Sequence, residues 1–208
     1  MRVSAINSFT SIWILPKLSS FQALHPDIML QIAPSNELID FEIGEIDIAI
    51  RMGRGNYKDL QSKLLFKDEM ILVSSPSLLK QEPALDAESI FTLPWIEDTS
   101  ADVDQIFKLL CEQNKIIPSS IVPVIRSDNS LTIIESVLQS RGIALVNRCL
   151  VQEEVNTGKL LPLLDFSHPS PYSLYLVAPE TNFKWEKIRQ FENWFIPLIN
   201  EYFGQRDN

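Results

Sequence analysis

Hydroxyl, amide and carboxylate side chains gather at four points where an apolar run gives way to polar residues. These are Ser8-Phe9-Thr10-Ser11, Pro34-Ser35-Asn36, Glu97–Ser100 and Ser127-Asp128-Asn129-Ser130. The first and last stand before helix-forming patterns. Free backbone N–H groups and the helix dipole favour an anion such as a carboxylate there. Ser8, Thr10 and Ser11 in the first cluster, and Asp128 and Ser130 in the last, are the candidate ligand contacts. The same side chains suit plain N-capping equally well. Ser35 and Ser100 are candidates in the other two clusters. Arg51, directly after an alternating apolar run, could clamp a carboxylate with two N–H groups, or pair with Asp47 or Glu45 as scaffold. Trp13 either shelters the first cluster or packs in the core.

Catalytic chemistry finds little support. The two histidines, His25 and His168, both precede prolines. The sequence has no GxSxG, HExxH, GxxxxGK[ST] or GxGxxG pattern. Gly53-Arg54-Gly55 reads only as a turn. So few His and Cys residues make a metal site an unpromising reading, and no cofactor is expected.

The elements that must position these residues follow from periodicity. Val3–Ile6 reads as a strand, and Ile12, Leu15, Leu18, Phe21 and Leu24 mark a helix face with Pro16 early in it. The segments 28–32 and 46–50 alternate as strands around a short helix over Glu37–Glu42. This βαβαβ order implies a parallel sheet. An extended segment, Lys63–Ser74, follows, then a short helix at Pro76–Gln81 and a strand at Trp95–Glu97. The theme then recurs: helix Asp102–Asn114, strand Val122–Ile125, helix Leu131–Arg141 stopped by Gly142, strand Ile143–Val146, helix Leu150–Thr157 ended by Gly158. Tyr172–Val177 is the last strand. Phe183–Tyr202 is a long closing helix with Trp185, Ile188, Phe191, Trp194 and Phe195 on its apolar side and Pro197 as a kink. The fold class is α/β, in two units with a cleft between them.

Composition narrows the job. A formal charge of −9 argues against this chain gripping a phosphate backbone by itself, since that grip comes from Lys and Arg. Cys111 and Cys149 form no CxxC pair and read as reduced thiols. No stretch approaches the roughly 18–20 apolar residues that cross a bilayer, and no signal peptide is read at the N-terminus. A cytoplasmic protein without a membrane partner is expected.

Taken in order, the motifs resemble a known family. Pro26-Asp27-Ile28, with Gly44-Glu45-Ile46-Asp47-Ile48-Ala49-Ile50-Arg51, is similar to a signature of the effector domains of LysR-type transcriptional regulators. Trp13-Ile14-Leu15-Pro16-Lys17-Leu18 looks like the family's opening helix. Arg51-Met52-Gly53-Arg54-Gly55 resembles the branch holding glycine-cleavage activators and β-lactamase regulators. Asp128 with Leu131, Gly142-Ile143-Ala144-Leu145, and Phe191-Glu192-Asn193-Trp194-Phe195 fall in family order.

The resemblance implies a periplasmic-binding-protein-like fold of two Rossmann-like lobes joined by two crossover strands. Lobe I would take 1–71 plus 177–208, and lobe II 72–176. It implies a bacterial transcription factor that binds a small metabolite, such as a carboxylate or amino acid, between its lobes. Ser8, Thr10, Asp40 and Ser127–Ser130 fall at the family's binding positions, and Tyr175 lies near a position where the branch places a tyrosine. A homodimer is expected through Pro16–Leu24 and Leu131–Arg141, and a homotetramer at full length. DNA would be met only through an N-terminal winged helix-turn-helix that this chain lacks. Two other readings compete: a free-standing solute-binding protein of a transport system, and a small α/β enzyme using Asp40 or Asp128.

Overall fold

A computed structural model describes residues 1–37, 41, 46–80 and 89–204 of the 208. The chain divides into two compact units, Met1–Asp68 with Pro171–Asn208, and Glu69–Ser170. Most of the expected helix Glu37–Glu42, the candidate Asp40 and the end of Pro76–Gln81 fall outside the described residues.

The first unit is organised by β1 (Arg2–Ala5), whose Val3, Ser4 and Ala5 are all buried. It pairs in parallel with β2 (Gln31–Pro34) on one side and β3 (Ile48–Gly53) on the other. β2 starts later than the alternation at Ile28 suggests. Its ladder opens only where Arg2 meets Gln31, and Met29 is left 80% exposed. β3 runs on to Gly53 because β8 (Leu161–Ala178) pairs with it antiparallel, from Ala49↔Val177 to Gly53↔Ser173. Arg51 therefore lies within a strand rather than after one. The reason is a partner well over a hundred residues away, which local periodicity does not register.

The opening helix begins at Asn7, five residues before the apolar spacing suggested. It runs through α1 (Asn7–Phe9), a π-helical turn (Thr10–Ile14) and α2 (Leu15–Leu24). Pro16 is thus well inside the helical run. A proline there lacks an N–H and presses on the carbonyl four residues back. The π turn, in which Leu15 N–H reaches Thr10 O, widens the ladder just ahead of the ring and relieves that conflict.

The closing helix α7 (Glu186–Phe203) completes this unit's core. Phe191 lies edge-on to Phe21, with ring centroids 5.9 Å apart, and Phe195 meets Trp13 at 5.5 Å. The Trp194 indole N–H donates to Ser20 Oγ at 2.9 Å. Lys187 Nζ bonds Asp47 Oδ1 at 2.7 Å, and Lys63 Nζ bonds Glu192 Oε1 at 2.5 Å. Trp185 departs from expectation: it caps the helix and is 42% exposed, because a residue ahead of the first turn is not on the helix face.

The second unit pairs the end of β4 (Gln61–Ser74) antiparallel with β7 (Ala144–Asn147), over Met70–Val73. β5 (Trp95–Asp98) and β6 (Pro123–Ser127) run parallel. Helices α3 (Pro76–Leu79), α4 (Ala101–Gln113), α5 (Ser130–Leu138) and α6 (Arg148–Asn156) cover them. Leu72, Trp95, Ile106, Leu110, Ile143, Leu145 and Phe166 share one buried cluster. α5 ends at Leu138, not at Gly142. The left-handed turn falls on Ser140 (φ 59°), and Gly142 serves a close approach instead: a Cβ there would stand 2.5 Å from Pro94 O. The chain passes between the units at Asp68–Glu69 in β4 and Ser170–Pro171 in β8.

Candidate functional site

In the first unit, three parallel strands deliver their carboxyl ends to one edge, the place where open α/β sheets hold ligands. α1 begins there directly after β1. Its N-cap is Ile6, whose side chain has no acceptor, and no side-chain cap bond forms. Asn7 N–H finds Asn36 Oδ1 at 3.1 Å, and Thr10 N–H already reaches Ile6 O at 2.9 Å. Among the described residues, the amides of Ser8 and Phe9 are the first-turn donors left without such a cap, which every helix start exposes. The three hydroxyls of the cluster do not act together. Ser8 is half-buried and Ser11 is exposed, while Thr10 is 1% exposed with an Oγ1 that has no partner among the described residues. Trp13 is core, stacked on Phe9 at 5.3 Å.

The β2 and β1 loops are tied by Arg51. Its Nη1 donates to Ser35 O at 2.5 Å and its Nη2 to Ser4 Oγ at 2.8 Å. Ser4 Oγ donates to Ala33 O at 3.0 Å, and Ser35 Oγ accepts from Glu37 N–H at 3.1 Å. Among the described residues Arg51 forms no ion pair. Asp47, the scaffold partner considered above, is held by Lys187 and by Arg2 N–H at 2.7 Å, and Glu45 lies outside the described residues. Arg51 is 8% exposed. Burial lowers its pKa and the nearby Tyr57 phenol raises it, but a guanidinium remains charged throughout the physiological range. The edge thus holds a buried cation with no carboxylate partner in the described residues.

Tyr175 sits directly across the ladder from Arg51. Its ring meets Tyr57 in a T-shaped contact, with centroids 6.1 Å apart. Tyr57 escaped the sequence reading. Nothing in its local pattern marks it beyond the two glycines ahead of it, whose missing side chains make room for the two tyrosines.

The second unit treats its helix N-termini differently. At α5 the cap is filled: Asn129 Oδ1 accepts from Leu131 N–H at 2.9 Å and Thr132 N–H at 3.3 Å. Asp128 is exposed. Ser130 lines a cavity of about 10 Å³ with Asp98 and Asn147, near the minimum for one water. At α4 the cap is Ser100, whose N–H goes to Asp98 Oδ1 at 2.9 Å. Asp102 and Asp104 already place carboxylates in that first turn, where they complement the dipole. Of these helix starts, only α1 combines an apolar cap with a cation at the same strand edge that has no ion pair among the described residues.

Comparison with known proteins agrees with this architecture. The LysR substrate binding domain family matches residues 1–197, and the chain belongs to that family. It is similar to the glycine cleavage system transcriptional activator of Escherichia coli K12, 27% identical over 197 residues, covering 94% of this chain and 64% of that protein. It is also similar to the AmpR transcriptional activator of Pseudomonas aeruginosa, 29% identical over 203 residues, covering 95% and 65%. The Haemophilus influenzae homologue of the glycine cleavage activator is 25% identical, covering 97% and 66%. The chain thus spans about two thirds of the length of these relatives, which are named as regulators of transcription rather than as enzymes.

Among solved structures, the effector domain of Pseudomonas aeruginosa AmpR matches with a TM-score of 0.78 at 21% identity, covering 97% of this chain and 96% of that one. The Citrobacter freundii AmpR effector binding domain matches at 0.79 and 20%, covering 97% and 98%. The fold is the periplasmic-binding-protein-like α/β fold of LysR effector domains.

Proposed function

We propose that this chain is the effector-sensing part of a bacterial LysR-type transcriptional regulator, and that its effector is a small metabolite carrying a carboxylate. The observation that supports this reading is the pairing at the first unit's edge. Uncapped amides of Ser8 and Phe9 lie at the end of β1, and the ion-pair-free guanidinium of Arg51 lies near the end of β3. Both are complemented by an anion. Ser8 adds a hydroxyl at the same turn. Ser35, Ser100, Asp128, Ser130 and Tyr175 remain proposed contacts, and Asp40 rests on the family resemblance alone.

The full-length protein would be cytoplasmic and would reach DNA through an N-terminal head. It would pair as a homodimer through Pro16–Leu24 and Leu131–Arg141, and assemble as a homotetramer. Leu24, 65% exposed on α2, is an apolar side chain suited to such a contact. Lobe limits at 1–71 plus 177–208 and at 72–176 belong to the same proposal. Effector binding would bias one of two pre-existing arrangements of the regulator.

The test is a thermal-shift screen of this chain against amino acids, small carboxylates and cell-wall peptides, repeated on Ser8→Ala. A ligand at about 100 times its Kd adds roughly 2.7 kcal/mol, a shift of several degrees. A carboxylate-dependent shift that shrinks in Ser8→Ala supports the reading. A ligand whose shift is the same in both proteins sinks the first-turn site.

A further inference from the structure

The loop that leaves β3, Gly53-Arg54-Gly55-Asn56-Tyr57, has the sequence of an ordinary turn, yet it buries a phenol. The Tyr57 hydroxyl is closed to solvent and has no hydrogen-bond partner among the described residues. It lies so close over Gly53 that a Cβ there would stand 2.4 Å from it. Tyr175 is laid on the next glycine in the same way. A Cβ on Gly55, whose φ is +84°, would stand 2.8 Å from the Tyr175 hydroxyl. Two tyrosines, in edge contact with each other, therefore rest on two glycines.

Arg51 completes the group. It is opposite Tyr175 in the β3–β8 register, and it acts on the Tyr57 phenol through its charge. Among the described residues, an O–H without an acceptor and a buried cation without an ion pair share one complement. Both are satisfied by an anionic oxygen, the strongest acceptor available to a phenol. An unmet buried donor is costly, so this arrangement favours whatever supplies that oxygen.

We infer that Arg51, Tyr57 and Tyr175 form an oxyanion subsite of the first unit, with Tyr57 the residue that selects a carboxylate over its neutral isostere. This rests on the effector reading above and deepens it. The Tyr57 ring swings off Gly53 to present its hydroxyl to one carboxylate oxygen. Arg51 stays on Ser35 O and Ser4 Oγ and supplies the favourable field. Tyr175 holds the ring edge.

The probe is acetate, with acetamide as its neutral isostere, at constant ionic strength made up with chloride. Tyrosine ring carbons and the Ser8 and Phe9 amides are followed by NMR in the wild-type chain and in Tyr57→Phe, which keeps the stacked ring. The expected result is a saturable acetate shift of the Tyr57 and Tyr175 rings that acetamide does not produce. Acetate should bind about tenfold more weakly to Tyr57→Phe, the loss of one charge-assisted hydrogen bond. If acetate saturates the Ser8 and Phe9 amides with the same Kd in both proteins, the subsite is overturned while the effector reading stands. If acetate moves neither the rings nor the amides, the subsite is likewise overturned, and the effector reading is decided separately by the metabolite screen.

Discussion

Arg51 and Tyr175 face one another across the antiparallel ladder of β3 and β8, and this register joins the start of the chain to its end at one polar edge. Arg51 then reaches back to Ser4 and Ser35, so a single side chain links the three parallel strands of the first unit.

Replacing Arg51 by Lys keeps the charge and loses the planar fork that spans two acceptors. One of Ser35 O or Ser4 Oγ is then left without its donor. Chemical denaturation of Arg51→Lys should show a loss of about 1–3 kcal/mol. An unchanged midpoint would show that the fork contributes nothing to the fold.

Phe191 is fully buried among Phe21, Trp194 and Phe195. Truncation to Ala removes an aromatic side chain from a packed interior, which typically costs about 3–5 kcal/mol. Differential scanning calorimetry of Phe191→Ala should show the corresponding fall in Tm, and the loss should be confined to the first unit if the two units melt separately.

A Cβ on Gly142 would stand only 2.5 Å from Pro94 O, and that neighbour is backbone. Gly142→Ala must move the segment where Ile143 N–H bonds Pro94 O at 2.8 Å. A loss of about 1–3 kcal/mol is expected from such overpacking. By contrast Gly158 has nothing within 4 Å of a Cβ, so Gly158→Ala should suffer only from its φ of +71°. Equal melting of the two variants would contradict this ordering.

Burial pushes the Cys111 thiol from 9.0 up to about 11. The neutral thiol is the form the fold favours. Its stabilisation is complete below the ordinary thiol pKa and disappears as pH rises through about 11. At neutral pH the folded chain should react with a thiol reagent at Cys111 only on the timescale of opening, because the thiolate is the nucleophile. Rapid labelling of Cys111 in the native chain would be the contrary result.

The amphipathic helices were legible because their signal is local. Val103, Ile106 and Leu110 of α4, spaced by three and four, are all buried, as is Cys111 beside Leu110. Strand limits were less legible, since β2 and β3 start and stop where their partners allow. The position of Arg51 shows the cost: its residue type suggested an anion clamp, but only the folded edge reveals that two of its N–H groups already donate to Ser35 O and Ser4 Oγ. Thr10 and Ser11 looked equivalent to Ser8, yet the π turn buries one and exposes the other. Tyr57 was invisible because its importance comes from two glycines ahead of it and a strand far along the chain. The cap at α5 went the other way, since Asn129 was present in the sequence and simply serves as a cap.

The discontinuity of the first unit also dictates an order of events during synthesis. Glu69–Ser170 is one uninterrupted stretch and can fold as soon as it has left the ribosome, whereas the unit around it waits for the last helix. Until then Trp13 and Phe21 lack the aromatic side chains of α7 that cover them. The nascent protein therefore carries a finished inner module between two unfinished segments of the first unit, and its sticky rings stay bare until α7 has emerged.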